Sequence, residues 1–303
     1  MYRKLLLQSS ALAGCVGGGV CLGIYFERRK LSEYFDYPQL PGLPLCGTVS
    51  AASPLTIEEN LVNIDGKTIM KYGFPSLANI RSYDDYVLSY DQRNRVAHWV
   101  FEHLTKESLK KNETIDRSKC EFREDPSIHH FFRSTNMDYK RSGYDRGHLA
   151  AAGNHRLHQK HVEQTFFLSN MAPQVGPGFN RDSWNRLEKY VRKLTDSYAN
   201  VYVCTGPLYL PRKESDGKLY ISYQVIGPNN VAVPTHFFKV VVMESKDRRL
   251  EMEAYLMPNK AIDNDTPLHV PPESIERAAG LLFFDRISRD KLEKINGKKT
   301  TYI

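Results

Sequence analysis

Tyr144-Asp145-Arg146-Gly147-His148-Leu149, followed by Ala150-Ala151-Ala152-Gly153-Asn154-His155, sets an acid, a guanidinium, a glycine and an imidazole in four consecutive positions beside a small, apolar run. Asp and Arg are rarely buried without a partner, so either the fold or a substrate must supply one. The substrate that fits is a phosphodiester. His148 has the ordinary pKa of a general base, provided that Asp145, an asparagine or a carbonyl fixes its tautomer. Arg146 suits a phosphate because its planar fork donates bidentately and stays charged at every working pH. Residue by residue, a packed strand-end histidine and a surface pair of Arg146 with Asp145 stay open as alternatives.

Further along stand Asn170-Met171-Ala172-Pro173-Gln174, a Gly/Pro loop, and then Asn180-Arg181-Asp182-Ser183-Trp184-Asn185-Arg186-Leu187-Glu188. Trp184, Leu187, Val191, Leu194 and Tyr198 recur at three- and four-residue steps, which predicts an amphipathic helix over 180–198. Asn180 is either its N-cap or the donor of an amide oxygen to a hard cation. Magnesium suits such a site, since it keeps most of its water and takes few protein ligands. Glu188 falls about two helical turns later, near the same face. It can hold a metal-bound water, or pair with Arg192 at i,i+4 as a solvated charge. Arg192 can equally point at phosphate.

These motifs together resemble the ββα-metal DNA/RNA non-specific endonucleases, and within them the mitochondrial branch. The signature is Asp-Arg-Gly-His on a strand (Asp145 to His148), Asn-x-x-Pro-Gln (Asn170 to Gln174), then Asn180, Trp184 and Glu188 at the start of a helix. The similarity of pattern runs from about Tyr72 to the 280s. It implies an α+β fold with a mixed or antiparallel central sheet flanked by helices. It also implies that His148 is the general base, that Asn180 is the direct protein ligand of a magnesium ion, and that Glu188 holds that ion through water. Arg146 and Arg192 would contact the scissile phosphate, with Asp145 and Asn170 supporting the site; manganese would substitute for magnesium. One point departs from the pattern. Secreted bacterial relatives carry a phosphate-binding arginine where this chain has Cys120, so either Arg117 or Arg123 replaces it or this branch manages without it.

In the mechanism that follows, His148 deprotonates water while one metal ion stabilises charge on a non-bridging oxygen and the 3′ leaving oxygen. The expected products carry 5′-phosphate and 3′-hydroxyl ends. The resemblance further implies DNA and RNA as partners, a homodimer, a mitochondrial intermembrane-space address, and access to the nucleus on release during cell death.

The chain of 303 residues carries 42 Lys and Arg against 35 Asp and Glu, a net +7 that favours a polyanionic partner. No base-reading motif of the zinc-finger or RNP type is present, so low sequence selectivity is expected. Between Lys4 and Glu27 the chain is uncharged and largely apolar, flanked by Arg3-Lys4 and Arg28-Arg29-Lys30. Composition leaves a secretory signal, a signal anchor and a mitochondrial presequence open; the resemblance points to mitochondrial import. The expected organisation is a targeting segment over 1–30, a Pro-rich flexible linker over 31–70, and a nuclease domain over 71–303. In that domain, 84–91 and 96–104 read as a hairpin, 165–168, 201–205, 220–226, 236–243 and 251–257 as strands, and 272–284 as a late helix.

Five cysteines without a Cys-x-x-Cys pair make a disulfide scaffold or a zinc ribbon improbable, and Cys204 reads as core. His155, His158 and His161 recur every third residue and offer a rival zinc site, although the nuclease pattern makes them peripheral. Two rival functions remain: a catalytically silent nucleic-acid-binding protein, against which the intact signature argues, and a phosphodiesterase acting on something other than polynucleotide.

Overall fold

The computed structural model describes residues 68–262 and 269–300. The expected targeting segment, and the linker as far as residue 67, lie outside the described residues. The folded part reaches back at least to Ile69 and Met70, which are buried against Trp99 and Phe101 in one of the two large cores.

The chain opens with a meander of β1 (Ile80–Ser82), β2 (Tyr86–Asp91) and β3 (Val96–Leu104), each antiparallel to the next. The β2–β3 turn is held by Asp91, whose carboxylate accepts the backbone N–H groups of Arg93 and Asn94. A long excursion follows, with the short helix α1 (Asn136–Tyr139), strand β4 (Asp145–His148), helix α2 (Gln159–Thr165), strand β5 (Met171–Gln174) and helix α3 (Asn185–Leu194). The chain then returns to the main sheet through β6 (Asn200–Leu208), antiparallel to β3. Two-residue strands β7 (Arg212–Lys213), β8 (Leu219–Tyr220), β9 (Val225–Ile226) and β10 (Val231–Ala232) form two small ladders. Then β11 (His236–Glu244) and β12 (Leu250–Pro258) complete the centre of the sheet. Helix α4 (Pro272–Ala279), β13 (Leu292–Ile295) and β14 (Lys298–Lys299) close the order β1-β2-β3-β6-β11-β12-β13-β14.

Both faces of this sheet are covered, and the period of two along a strand divides the core. Val100 and Leu104 of β3 face one side, Trp99 and Phe101 the other; Phe237, Val241 and Met243 of β11 oppose Phe238, Val240 and Val242 in the same way. The first face is covered by α3 through Leu187 and Val191, the second by α4 through Ile275. By the same alternation the buried polar residues Glu102, Thr205 and Lys239 lie on the first face. That is the side on which the β4-β5-α3 excursion sits. Cys204, on the second face, is core as expected.

Four sequence expectations need correction. Residues 165–168 are the end of α2 and the turn after it, and the strand lies later, at Met171–Gln174. Residues 220–226 are not one strand: Ile221 and Tyr223 are exposed between the two-residue strands β8 and β9. The helix expected over 180–198 is α-helical over Asn185–Leu194, is entered through a wider π-helical stretch ending at Trp184, and stops short of Tyr198, which extends its apolar stripe through an irregular last turn. The late helix stops at Ala279, where Gly280 takes the left-handed conformation (φ +67°) that ends helices, so Phe283 and Phe284 leave it for the core.

Candidate active site

Strands β4 and β5 and helix α3 form a ββα unit. The register pairs Asp145 with Gln174, Arg146 with Pro173, Gly147 with Ala172 and His148 with Met171. A Cβ at Gly147 would lie 2.2 Å from the Gln174 side chain, so the Gly of Asp-Arg-Gly-His is required by packing. After β5 the chain winds through a π-helical stretch over Gly176–Trp184, kinked at Pro177 and at Gly178 (φ +81°), with Asn180 N–H donating to Val175 O at 2.9 Å. Asn180 therefore precedes the regular helix and does not cap it. Its side-chain Nδ2 instead donates to Asp145 Oδ2 at 2.9 Å. A carboxylate only accepts, so the Asn180 amide turns its NH₂ to Asp145 and keeps Oδ1 for another partner. Asp145 also takes Arg181 Nε at 2.8 Å and Nη2 at 2.6 Å, and this pairing holds its carboxyl below the usual range.

The unit opens into a cleft of about 950 Å³ lined by six of the seven expected residues: Asp145, Arg146, His148, Asn180, Glu188 and Arg192. Asn170 is the exception. Fully buried, it accepts Ala150 N–H at 2.9 Å and donates to Ala150 O and Thr165 O, clamping the chain as it leaves β4. Arg146 stacks 4.1 Å above the Phe122 ring and donates to Asn136 Oδ1 at 2.6 Å, so its partner is not Asp145. Arg117, on the segment that packs Cys120 and Phe122 over α2, also lines the cleft. Arg123 stacks instead on Phe167 at 4.7 Å and is absent from the lining, which selects Arg117 as the extra cation. Seven Lys and Arg side chains line the cleft against two carboxylates, so its field favours a polyanion.

Burial beside Phe122 and Phe166 drives the His148 imidazole down to about 3, with help from the Arg117 and His155 charges. Its Nε2 is buried and has no hydrogen-bond partner among the described residues. Burial pushes the Glu188 carboxyl up, while Lys239 and Arg192 pull it back. His155, expected to be peripheral, is an internal cation: burial lowers it, yet bonds to Asp85 at 3.3 Å and Glu102 at 2.9 Å outweigh this and raise it to about 9.

These two histidines set opposite limits on stability. The native state holds the His155 proton more tightly than the unfolded chain, so that contribution is complete below about 6.5 and disappears as pH rises through about 9. His148 is held neutral, so its contribution is present above 6.5 and is lost as pH falls toward about 3. The unfolding midpoint is expected to be highest near neutrality and to drop on both sides in a thermal-melt series. Replacing His155 by Gln should flatten the alkaline limb, and an unchanged limb would contradict the assignment.

The oxygen donors at Asn180 and Glu188 suit a hard divalent cation, and the outward Oδ1 of Asn180 together with a carboxylate burdened by burial fits one. Among the described residues no group of three His, Cys, Asp or Glu side chains forms a metal site. His155 and His161 are both engaged with Asp85. Sequence reading missed Glu102 and Asn154. The available signal was a glutamate inside the apolar run Val96–Leu104, on the strand face that turns toward the site.

Comparison with known proteins places this geometry. A family model described as DNA/RNA non-specific endonuclease matches residues 65–290. The chain belongs to the DNA/RNA non-specific endonuclease family. It is a hydrolytic nuclease of the endonuclease G type, with the ββα-metal fold. Mitochondrial endonuclease G of Caenorhabditis elegans is 51% identical over 303 residues, covering 95% of this chain and 98% of that protein. The human mitochondrial endonuclease G is 57% identical over 222 residues, covering 72% and 74%. A solved chain from the crystal structure of the EndoG/EndoGI complex shares 69% identity with a TM-score of 0.77, covering 78% of this chain and 98% of its own.

Proposed function

We propose that the protein is a magnesium-dependent endonuclease that cuts DNA and RNA with little sequence preference, leaving 5′-phosphate ends. The observation that carries this reading is the convergence of His148, Asn180 and Glu188 in one cationic cleft. Asn180 would hold the ion through Oδ1 and Glu188 through water. The bound ion would supply Lewis-acid stabilisation of charge on the phosphodiester. His148 takes a proton from the attacking water, and Arg146, Arg192 and Arg117 bind phosphate oxygens. An imidazole held at about 3 is a weak base. Burial is the main cause of that depression; a phosphodiester seated beside Arg117 offsets only the smaller contribution of that guanidinium and moves the imidazole part of the way up.

The names of the relatives support a mitochondrial address. An intermembrane-space location, engagement of the import or membrane system by the N-terminal segment, release to the nucleus during cell death and a homodimer belong to the same proposal. The full chain is expected to nick plasmid and degrade RNA with magnesium, to stop on addition of EDTA, and to recover with magnesium or manganese. Products should be ligatable through their 5′-phosphates without kinase treatment. Cleavage that persists in EDTA would remove the metal from the scheme, and cleavage confined to small diesters would favour a non-nucleic substrate.

A further inference from the structure

The cleft uses one device twice. Asp145 accepts the amide NH₂ of Asn180 and so directs its Oδ1 elsewhere. Glu102, completely buried on β3, accepts Asn154 Nδ2 at 2.8 Å, and Asn154 Oδ1 accepts Arg192 Nη1 at 2.9 Å. Because a carboxylate has no proton to give, Glu102 fixes which way the Asn154 amide points. We propose that Glu102 and Asn154 act as a positioning relay that aims Arg192 at the scissile phosphate. This rests on the proposed contact between Arg192 and phosphate.

Three further features support the relay. Asn154 is buried at the end of the short 3-10 turn Ala152–Asn154, so its direction is set by packing. Its neighbour Gly153 leaves room for the guanidinium: a Cβ there would stand 3.1 Å from Arg192 Nη1 and 3.3 Å from Arg156 Nη2. His155 donates to the same Glu102 oxygen and to Asp85, anchoring the carboxylate from behind.

What the relay prevents is visible in the helix. Glu188 and Arg192 stand at i,i+4, the spacing at which opposite charges pair. No ion pair joins them among the described residues; Arg192 is instead drawn to Asn154. Without Asn154, Arg192 is free to fold onto Glu188. That collapse would remove a phosphate contact and neutralise the carboxylate assigned to the hydrated cation. Asn154 and Glu102 touch neither substrate nor ion in this scheme and act only through Arg192.

The test is a double-mutant cycle on the full chain with magnesium and a labelled DNA duplex, using Asn154→Ala, Arg192→Ala and both together, with thermal melts alongside. Asn154→Ala is expected to lower kcat/KM about 10- to 100-fold. The double variant should be no slower than Arg192→Ala alone, because the relay has no route except Arg192. Multiplicative losses would mean a general packing role and overturn the relay, as would an Asn154→Ala enzyme with unchanged kcat/KM. A fully active Arg192→Ala would instead overturn the phosphate contact itself, and the relay with it. Should Asn154→Ala fail to fold, Asn154→Ser runs the same cycle with less space left unfilled.

Discussion

Replacing His148 by alanine is expected to slow plasmid cleavage roughly 10²- to 10⁴-fold, the range over which a positioned general base contributes. The fold should survive. His148 stands at the end of β4, whose register with β5 is set by backbone bonds and by the Gly147 approach to Gln174, neither of which uses the imidazole. Its ring lies beside those of Phe122 and Phe166, and among the described residues Nε2 has no hydrogen-bond partner to lose. The variant also sheds the cost of keeping a histidine neutral, so its melting temperature should resist acid better than that of the parent. Arg117, Arg146 and Arg192 remain, so affinity for DNA measured in EDTA should hold. Cleavage at the parental rate by His148→Ala would move the base elsewhere, with Glu188 the next titratable group in the cleft.

The second large effect is expected from Asn180→Ala. A bound cation is worth several kcal/mol of charge stabilisation in such reactions, so losing its direct ligand should cost roughly 10²- to 10³-fold in rate. The magnesium concentration for half-maximal activity should rise as well. This second readout separates a ligand from a structural role: Asn180 lies inside the π-helical stretch Gly176–Trp184 and not at the cap of Asn185–Leu194, and a merely structural loss would leave the magnesium requirement unmoved. The change does remove one of three donors from Asp145, yet Arg181 keeps its two bonds to that carboxylate. Parental activity at parental magnesium would show that the Asn180 oxygen faces nothing of consequence.

Much of the site was legible because its residues lie in short motifs whose chemistry is local. Asp-Arg-Gly-His, Asn180 and Glu188 could be read without knowing the fold. Helix α3 was legible through Leu187 and Val191, whereas the π-helical winding that leads into it as far as Trp184 leaves no mark on the apolar spacing. The misplaced strand at 165–168 has a similar origin: Phe166 and Leu168 are apolar and buried in turns as readily as in strands. Asn170, expected to support the site, lies outside the cleft and clamps the backbone at Ala150, a role that depends on tertiary packing.

The sequence alone carried the resemblance to the family, through Asp145 to His148, Asn170 to Gln174 and Asn180 to Glu188, and with it the reaction class which that resemblance implies. Tertiary structure decided which cations reach the cleft: Arg117 lines it, while Arg123, six positions on, stacks on Phe167. It also decided that His155 is an internal cation between Asp85 and Glu102, and that Asn154 meets Arg192 across 38 positions. The physical reason is that charge state and hydrogen-bond direction depend on burial and on partners distant in the chain, which local spacing does not encode.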